Sequence, residues 1–412
     1  MKVNAYKDIL LLIALFILPS LVFIHPLIGK LDEVIFIYMI FAIVTRMLLR
    51  ERDVLFPILL VVYLLYSLFL IFHNSIPLSH ILQIFITSKF LIIFLYFYTY
   101  SEEYKIQFFQ ILVKFIIFIF IASLLMSILQ FVLPAYFCGY APDGRGLMGI
   151  NAGGVFCSRI SYSSFLVVFI ILIMSIRANF EDIFTELLKY RYWLLIISLL
   201  LLVLTFARKE MVIGFMILIY LFKDKIERDS RIVFYLILSL FILGFIAVFT
   251  IAFAEVNSST FTEKQIRLLM LFHSLDIFQF YFPFGSGPGT YGSIMSLDYT
   301  TVYETFNVAP NIYLGHDGDT RGPIFDLFLV GLLAEYGLGI IFFIWFLKKM
   351  AYASYPKDFL GYINVQKLKI ALFMHLLIVS IFVPIFLNWI GFLIFTILGI
   401  LSSRGDLNDY SK

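Results

Sequence analysis

Charge is scarce in this 412-residue chain. Asp, Glu, Lys and Arg make up 14% of it, 62% is hydrophobic, and mean hydropathy is +1.01. No water-soluble domain has that balance, which excludes a soluble enzyme or binding module. The net charge of +3 is too small to argue for a nucleic-acid partner. Histidine is down to 6 scattered residues and cysteine to 2, Cys138 and Cys157, without CxxC spacing. The sequence therefore offers no ligand set for a metal, and no cofactor is expected. Internal repeats and low-complexity linkers are lacking too. Both cysteines fall in one expected external loop. There they either pair, if that side is oxidising, or stay as small buried thiols.

What is present is a series of apolar runs of roughly 17–25 residues, the length a bilayer-spanning helix needs. They place spans near 9–24, 33–49, 54–72, 80–98, 111–133, 160–176, 192–206, 210–222, 232–254, 324–347, 368–386 and 388–402. The expected fold is an all-α polytopic membrane protein of about 12 transmembrane helices. Lys2 and Lys7 precede an apolar run from Ile9 to Ile24, as in a signal peptide. No A-x-A-like cleavage site follows and Pro19 sits inside the run, so the run reads as a retained first helix.

Most of the 30 Lys and Arg fall on the side that holds both termini, which places that side in the cytoplasm. The other face keeps only Lys30, Arg145, Arg159, Arg208, Lys209, Lys264, Arg267 and Arg321, while Lys89 and Lys114 fall within spans. Lys89 either snorkels, pairs with a carboxylate or lines a cavity. Residues 255–323 are the one long polar interval. The chain divides into membrane helices over 1–254, a large external loop over 255–323, and further membrane helices with a cytoplasmic C-terminus over 324–412.

Arginines left on the basic-poor face are the leading candidates for chemistry, because a guanidinium fork suits phosphate and carboxylate. Arg145 lies in GRGLMGIN, between glycines that allow close approach. Arg208, in LTFARKEMVIGF, sits in a short turn between spans, where it snorkels to headgroups or faces a polar cavity. Arg267 lies on a helix that begins with the Thr260-x-x-Glu263 capping pattern. On that helix Glu263, Lys264, Arg267 and Ser274 share one face, and Ile266, Leu269, Met270 and Ile277 another; His273 lies near the apolar side. The alternative for the polar face is a solvated Glu263–Arg267 pair. The run PFGSGPGTYG (283–292) resembles a phosphate-cradling loop but lacks the Lys-Ser/Thr of a P-loop, so nucleotide binding is rejected. Gly287 and Gly289 instead make a tight, ligand-accessible turn, with Tyr291 a ring that could stack on a sugar. His316, Asp317, Asp319 and Arg321 form a polar cluster before the next span. They offer a general base and an anion clamp, or a polar collar at the interface.

RGLMGIN (145–151), LTFARKEMVIGF (204–215), Arg267 followed by PFGSGPGTYG, and LLAEYGLG (332–339) stand in one order. Together they resemble the O-antigen polymerase and O-antigen ligase superfamily of bacterial membrane glycosyltransferases, over roughly residues 145–345. The resemblance implies transfer of a glycan from undecaprenyl diphosphate on the periplasmic face of the inner membrane, with no nucleotide sugar or metal. The polymerase branch passes the chain to the non-reducing end of another lipid-linked repeat unit; the ligase branch passes it to lipid A–core. Arg145, Arg208 and Arg267 would hold the diphosphate or orient sugars. Where the family commonly has His-Asn before its Glu-x-Gly element, this chain has Asp326; either His316, about ten residues earlier, takes that place, or Asp326 or Asp317 serves as the base instead. That departure favours the polymerase branch, with a chain-length regulator an open partner. A flippase of lipid-linked sugars is the remaining alternative; it would put charges mid-span and need no dominant external loop.

Overall fold

The computed structural model describes residues 2–17, 31–49, 55–138, 150, 152–176, 190–229, 266–297, 299–306, 328–356, 359, 363–380 and 385–403. These residues form helices joined by turns and loops, with no strand among them. The helices are α1 (Lys2–Ile17), α2 (Leu31–Leu49), α3 (Leu55–His73), α4 (Ile81–Tyr98), α5 (Glu102–Val132), α6 (Arg159–Ser175) and α7 (Arg191–Leu204). They continue as α8 (Arg208–Asp229), α9 (Ile266–Phe280), α10 (Thr301–Thr305), α11 (Phe328–Tyr336), α12 (Gly339–Tyr352), α13 (Val365–Ser380) and α14 (Trp389–Ile400).

Among the described residues, three segments, Phe56–His73, Leu78–Tyr98 and Glu102–Val132, are long and apolar enough to cross a membrane. Their outer faces need an apolar solvent. Ile58, Val61, Leu65, Phe69 and Phe72 of α3 are exposed, as are Phe118, Ile121, Leu125 and Ile128 of α5.

The core is built on α4 and α14, which lie side by side. Phe90 packs on Phe395 at 4.8 Å between ring centres, and a Cβ on Gly399 would lie 2.6 Å from the Phe94 carbonyl oxygen. α2 packs beside α4, where Lys89 pairs with Asp32 at 2.5 Å, both largely buried. Of the three options for Lys89, the carboxylate partner is the one observed. α6, α7, α8 and α13 form a second group of neighbours beside this pair.

The bundle has two chemically different ends. We call upper the end where α3 gives way to α4, and lower the end where α4 gives way to α5. The lower end gathers buried and partly buried cations. Lys105 Nζ donates to the Ser402 carbonyl (2.6 Å), Lys369 Nζ to the Ala353 carbonyl (2.7 Å), and Arg46 Nη1 to the Tyr96 carbonyl (2.9 Å). Each cation faces the carbonyl-rich C-terminus of a helix, where the dipole favours it. Beside Arg46 the buried Asp8 carboxylate accepts from Tyr96, Tyr100 and Tyr104, with the guanidinium 3.6 Å from the Tyr100 ring centre. This cluster fastens α1 to α4 and α5. Tyr104→Phe should cost about 2 kcal/mol and Asp8→Ala about 4 kcal/mol, because the latter strands three donors. Chemical unfolding in detergent, read by tryptophan fluorescence, checks the ratio; equal costs would show that the carboxylate is not the hub.

Two expectations are corrected in this architecture. The span drawn over 324–347 is not one helix: it breaks at Gly337 (φ +53°) into α11 and α12. The Leu338 N–H leaves the helical ladder and donates to the Pro283 carbonyl at 2.9 Å. The span drawn from 111 starts earlier, at Glu102, so α5 runs 31 residues.

Candidate functional site

Two assemblies occupy the upper end. The first joins Ala152–Gly154 to the α7–α8 turn. The Ala152 N–H donates to the Leu204 carbonyl at 3.0 Å. In the last turn of α5, Gln130 Oε1 accepts from Gly153 (2.8 Å) and Gly154 (3.0 Å), and its Nε2 donates to the Gly154 carbonyl (2.9 Å). Cys138 and Cys157 form a disulfide with Cα atoms 5.5 Å apart, which closes the loop that carries Arg145. In the α7–α8 turn, Thr205 Oγ1 accepts from the Ala207 N–H at 3.2 Å and donates to the Leu202 carbonyl at 2.7 Å.

The second assembly joins PFGSGPGTYG to α11. Ser286 N–H donates to the Ala334 carbonyl (2.9 Å) and Gly287 N–H to the Glu335 carbonyl (2.8 Å). The Glu335 side chain is buried and its Oε1 accepts from the Tyr291 N–H at 3.2 Å, with the N–H groups of Gly289 and Thr290 also turned to it. Successive amides turned to one buried carboxyl group form a nest whose acceptor is supplied by the protein itself. The carbonyls are claimed from the other side. Asn74 Nδ2 donates to Gly285 (3.0 Å), Tyr66 Oη to Phe284 (3.2 Å), and the His80 ring Nδ1 lies 3.0 Å from the Pro288 oxygen. The run is thereby clamped between the α3–α4 connection and α11.

α9 closes this assembly. Ser274 Oγ donates to the Val330 carbonyl (2.9 Å) and Tyr291 Oη to the Met270 carbonyl (3.0 Å). Met270, Ile277, Tyr291, Tyr303, Val330 and Ala334 form its own apolar core. Ser274 was placed on the open polar face; it lies instead with Met270 and Ile277 on the buried one, where its hydroxyl satisfies a carbonyl. His273 is part-buried 3.9 Å from Asp276. Burial pushes its imidazole below the ordinary value, against the opposing pull of that carboxylate.

Of the sequence-derived site residues, Gly287, Gly289 and Tyr291 sit in this clasp. Their amides face inward, and the Tyr291 ring is wholly buried. Arg208 opens α8 and Arg267 lies in the first turn of α9, both described in backbone only. Arg145, Asp298, His316, Asp317, Asp319, Arg321 and Asp326 lie outside the described residues. The two assemblies are bridged by the segment 385–389. Trp389 packs on Phe156 at 5.7 Å, and Phe386 stacks on Phe328 at 4.9 Å.

Sequence reasoning passed over Gln130, Asn74, His80 and the role of Glu335. A signal for Gln130 existed: Ser123, Ser127 and Gln130 recur at four and three residues in an otherwise apolar helix, and all three are buried. No family model matches the chain, and no curated protein matches it.

Proposed function

We propose that this chain is a bacterial inner-membrane glycosyltransferase of the O-antigen polymerase type. It transfers a growing glycan from undecaprenyl diphosphate to the non-reducing end of another lipid-linked repeat unit. In this reading about 12 helices cross the membrane, both termini are cytoplasmic, and 255–323 forms the periplasmic loop over the upper end. The observation that carries the proposal is pairing at one end of the bundle: Ala152, just after the 145–151 piece, bonds Leu204 of the 204–215 piece, and 283–292 bonds 335–338 of the 332–339 piece. The disulfide at that end suits an oxidising periplasm. The cations at the opposite end suit the cytoplasm.

The chemistry assigned to the site is anion stabilisation. When the glycosidic bond to the lipid diphosphate breaks, negative charge builds on the leaving phosphate. Fixed guanidinium groups in a poorly solvated setting stabilise it. Arg145, Arg208 and Arg267 are the residues assigned to that work, with Arg321 as a further clamp. His316 or Asp317 is assigned as the base that takes the acceptor hydroxyl's proton. The clasped run 283–292 is a rigid keystone that aims these groups.

The test is Arg267→Ala and Arg208→Ala in cells whose own polymerase is deleted, with surface polysaccharide resolved by length. Long-chain polymer should fall by about a hundredfold, the usual cost of one oxyanion-stabilising donor, with single repeat units left on the core. Undiminished polymer from a stably inserted Arg267→Ala protein rejects the reading. Intact lipid-linked polymer that never reaches the core would reassign the chain to the ligase branch.

A further inference from the structure

A cavity of about 310 Å³ lies at the lower end, remote from the clasp, and polar atoms dominate its wall. Its lining includes Ser175 and Ile176 at the end of α6, Arg191 in the first turn of α7, Leu221 of α8, and Asn364 and Lys367 at the start of α13. Two cations from different helices therefore face one space, and both stand where a helix begins and its dipole is positive. The negative end nearby is already satisfied, because the Ser175 carbonyl accepts from the Asn364 N–H at 2.9 Å. The Asn364 Oδ1 caps α13 by accepting from the Lys367 N–H at 3.3 Å. An antiparallel bridge between Ile176 and Ile363 holds the two walls together.

The depth of this cavity is marked by its neighbours. Tyr190, Tyr192 and Trp193 are exposed at 61%, 43% and 65%. Such a run of exposed amphipathic rings belongs at the headgroup level of a bilayer. The Arg191 guanidinium is held there, 4.9 Å from the Tyr192 ring centre, with Nη2 donating to the Tyr192 hydroxyl at 3.2 Å. A basic pocket between helices at headgroup depth matches the phosphate of a lipid better than a diffusing anion.

We infer that this cavity binds the phosphodiester headgroup of an anionic phospholipid from the leaflet at the lower end. Arg191 offers a planar fork to the two non-bridging phosphate oxygens, and Lys367 a point charge beside them. The inference does not depend on the glycosyltransferase reading.

The experiment titrates the full chain in detergent with phosphatidylglycerol or phosphatidylcholine and counts bound lipids by native mass spectrometry. Wild type should retain phosphatidylglycerol at least about fivefold better, the factor one basic residue near the surface contributes. The double variant Arg191→Gln with Lys367→Gln should bring the two lipids to parity. Lys349→Gln, which removes a charge from the last turn of α12 at the same end, should keep the preference. No preference in wild type overturns the inference whatever the variants do. A loss in Lys349→Gln as large as in the double variant overturns it in favour of bulk charge. Inorganic phosphate that competes the phosphatidylglycerol away from wild type would assign the cavity to free phosphate instead of lipid.

Discussion

Glu335→Leu is expected to lower stability by about 4 kcal/mol and, on the proposed function, to abolish polymer synthesis. The carboxylate is 2% exposed and accepts from the Tyr291 amide at 3.2 Å, with the Gly289 and Thr290 amides turned to it. Leucine fills the volume but accepts nothing, so those donors stay buried without partners, at roughly 1–3 kcal/mol each. Part of that loss is returned because a buried carboxylate is itself costly to desolvate. Glu335→Gln separates the two effects. Its amide oxygen keeps one acceptor in nearly the same place, so the cost should be about 1 kcal/mol, with polymer length reduced but not lost. Detergent unfolding and polysaccharide gels on both variants decide the matter. If Gln proves as damaging as Leu, the negative charge itself is needed, and the nest is more than a clasp.

How far the sequence foretold this arrangement depends on the distance over which each signal acts. α3, α4 and α6 are apolar runs of helical length, and burial of such runs is local information, so their boundaries fall within a residue or two of expectation. The break at Gly337 was hidden because LLAEYGLG stays apolar through it, and one glycine is tolerated inside a helix. What breaks the helix is a partner far along the chain, the Pro283 carbonyl. The same holds for Glu335. Spacing placed it in a recognisable element, but nothing local tells that its carboxylate meets amides 44–46 positions earlier. Ser274 shows the limit of periodicity, since a hydroxyl looks polar in a helical wheel yet is buried once it finds the Val330 carbonyl. The glycine-rich run was legible as a tight turn. That its amides point inward was not, because the sequence does not say which side of a turn supplies the acceptor.

The same clasp makes Gly285→Ala and Gly337→Ala strongly damaging, with Gly331→Ala their control. Gly285 sits at φ +85° and Gly337 at φ +53°, in the region where a side chain is strained. Space is the larger obstacle. A Cβ on Gly285 would lie 2.5 Å from the Gly337 nitrogen and 2.6 Å from the Glu335 carbonyl oxygen; one on Gly337 would lie 2.3 Å from the Pro283 oxygen. All three contacts are with backbone, which cannot rotate away as a side-chain tip can. Each substitution must push the two strands of chain apart and break the bonds from Leu338 to Pro283 and from Ser286 to Ala334. Backbone strain of about 1–2 kcal/mol and two lost buried hydrogen bonds at about 1 kcal/mol each together cost about 3–4 kcal/mol. Either variant should therefore be degraded in cells, or be digested rapidly by protease at the upper end once purified. Gly331 differs on both counts. It lies inside α11, and its Cβ would come no closer than 3.4 Å to the Tyr291 oxygen. Alanine there should be neutral or stabilise by up to about 1 kcal/mol through helix propensity. Proteolysis half-lives of the three proteins in detergent test this directly. A Gly337→Ala chain as durable as Gly331→Ala would mean that α11 and α12 do not meet the 283–292 run as described, and the keystone would have to be sought elsewhere.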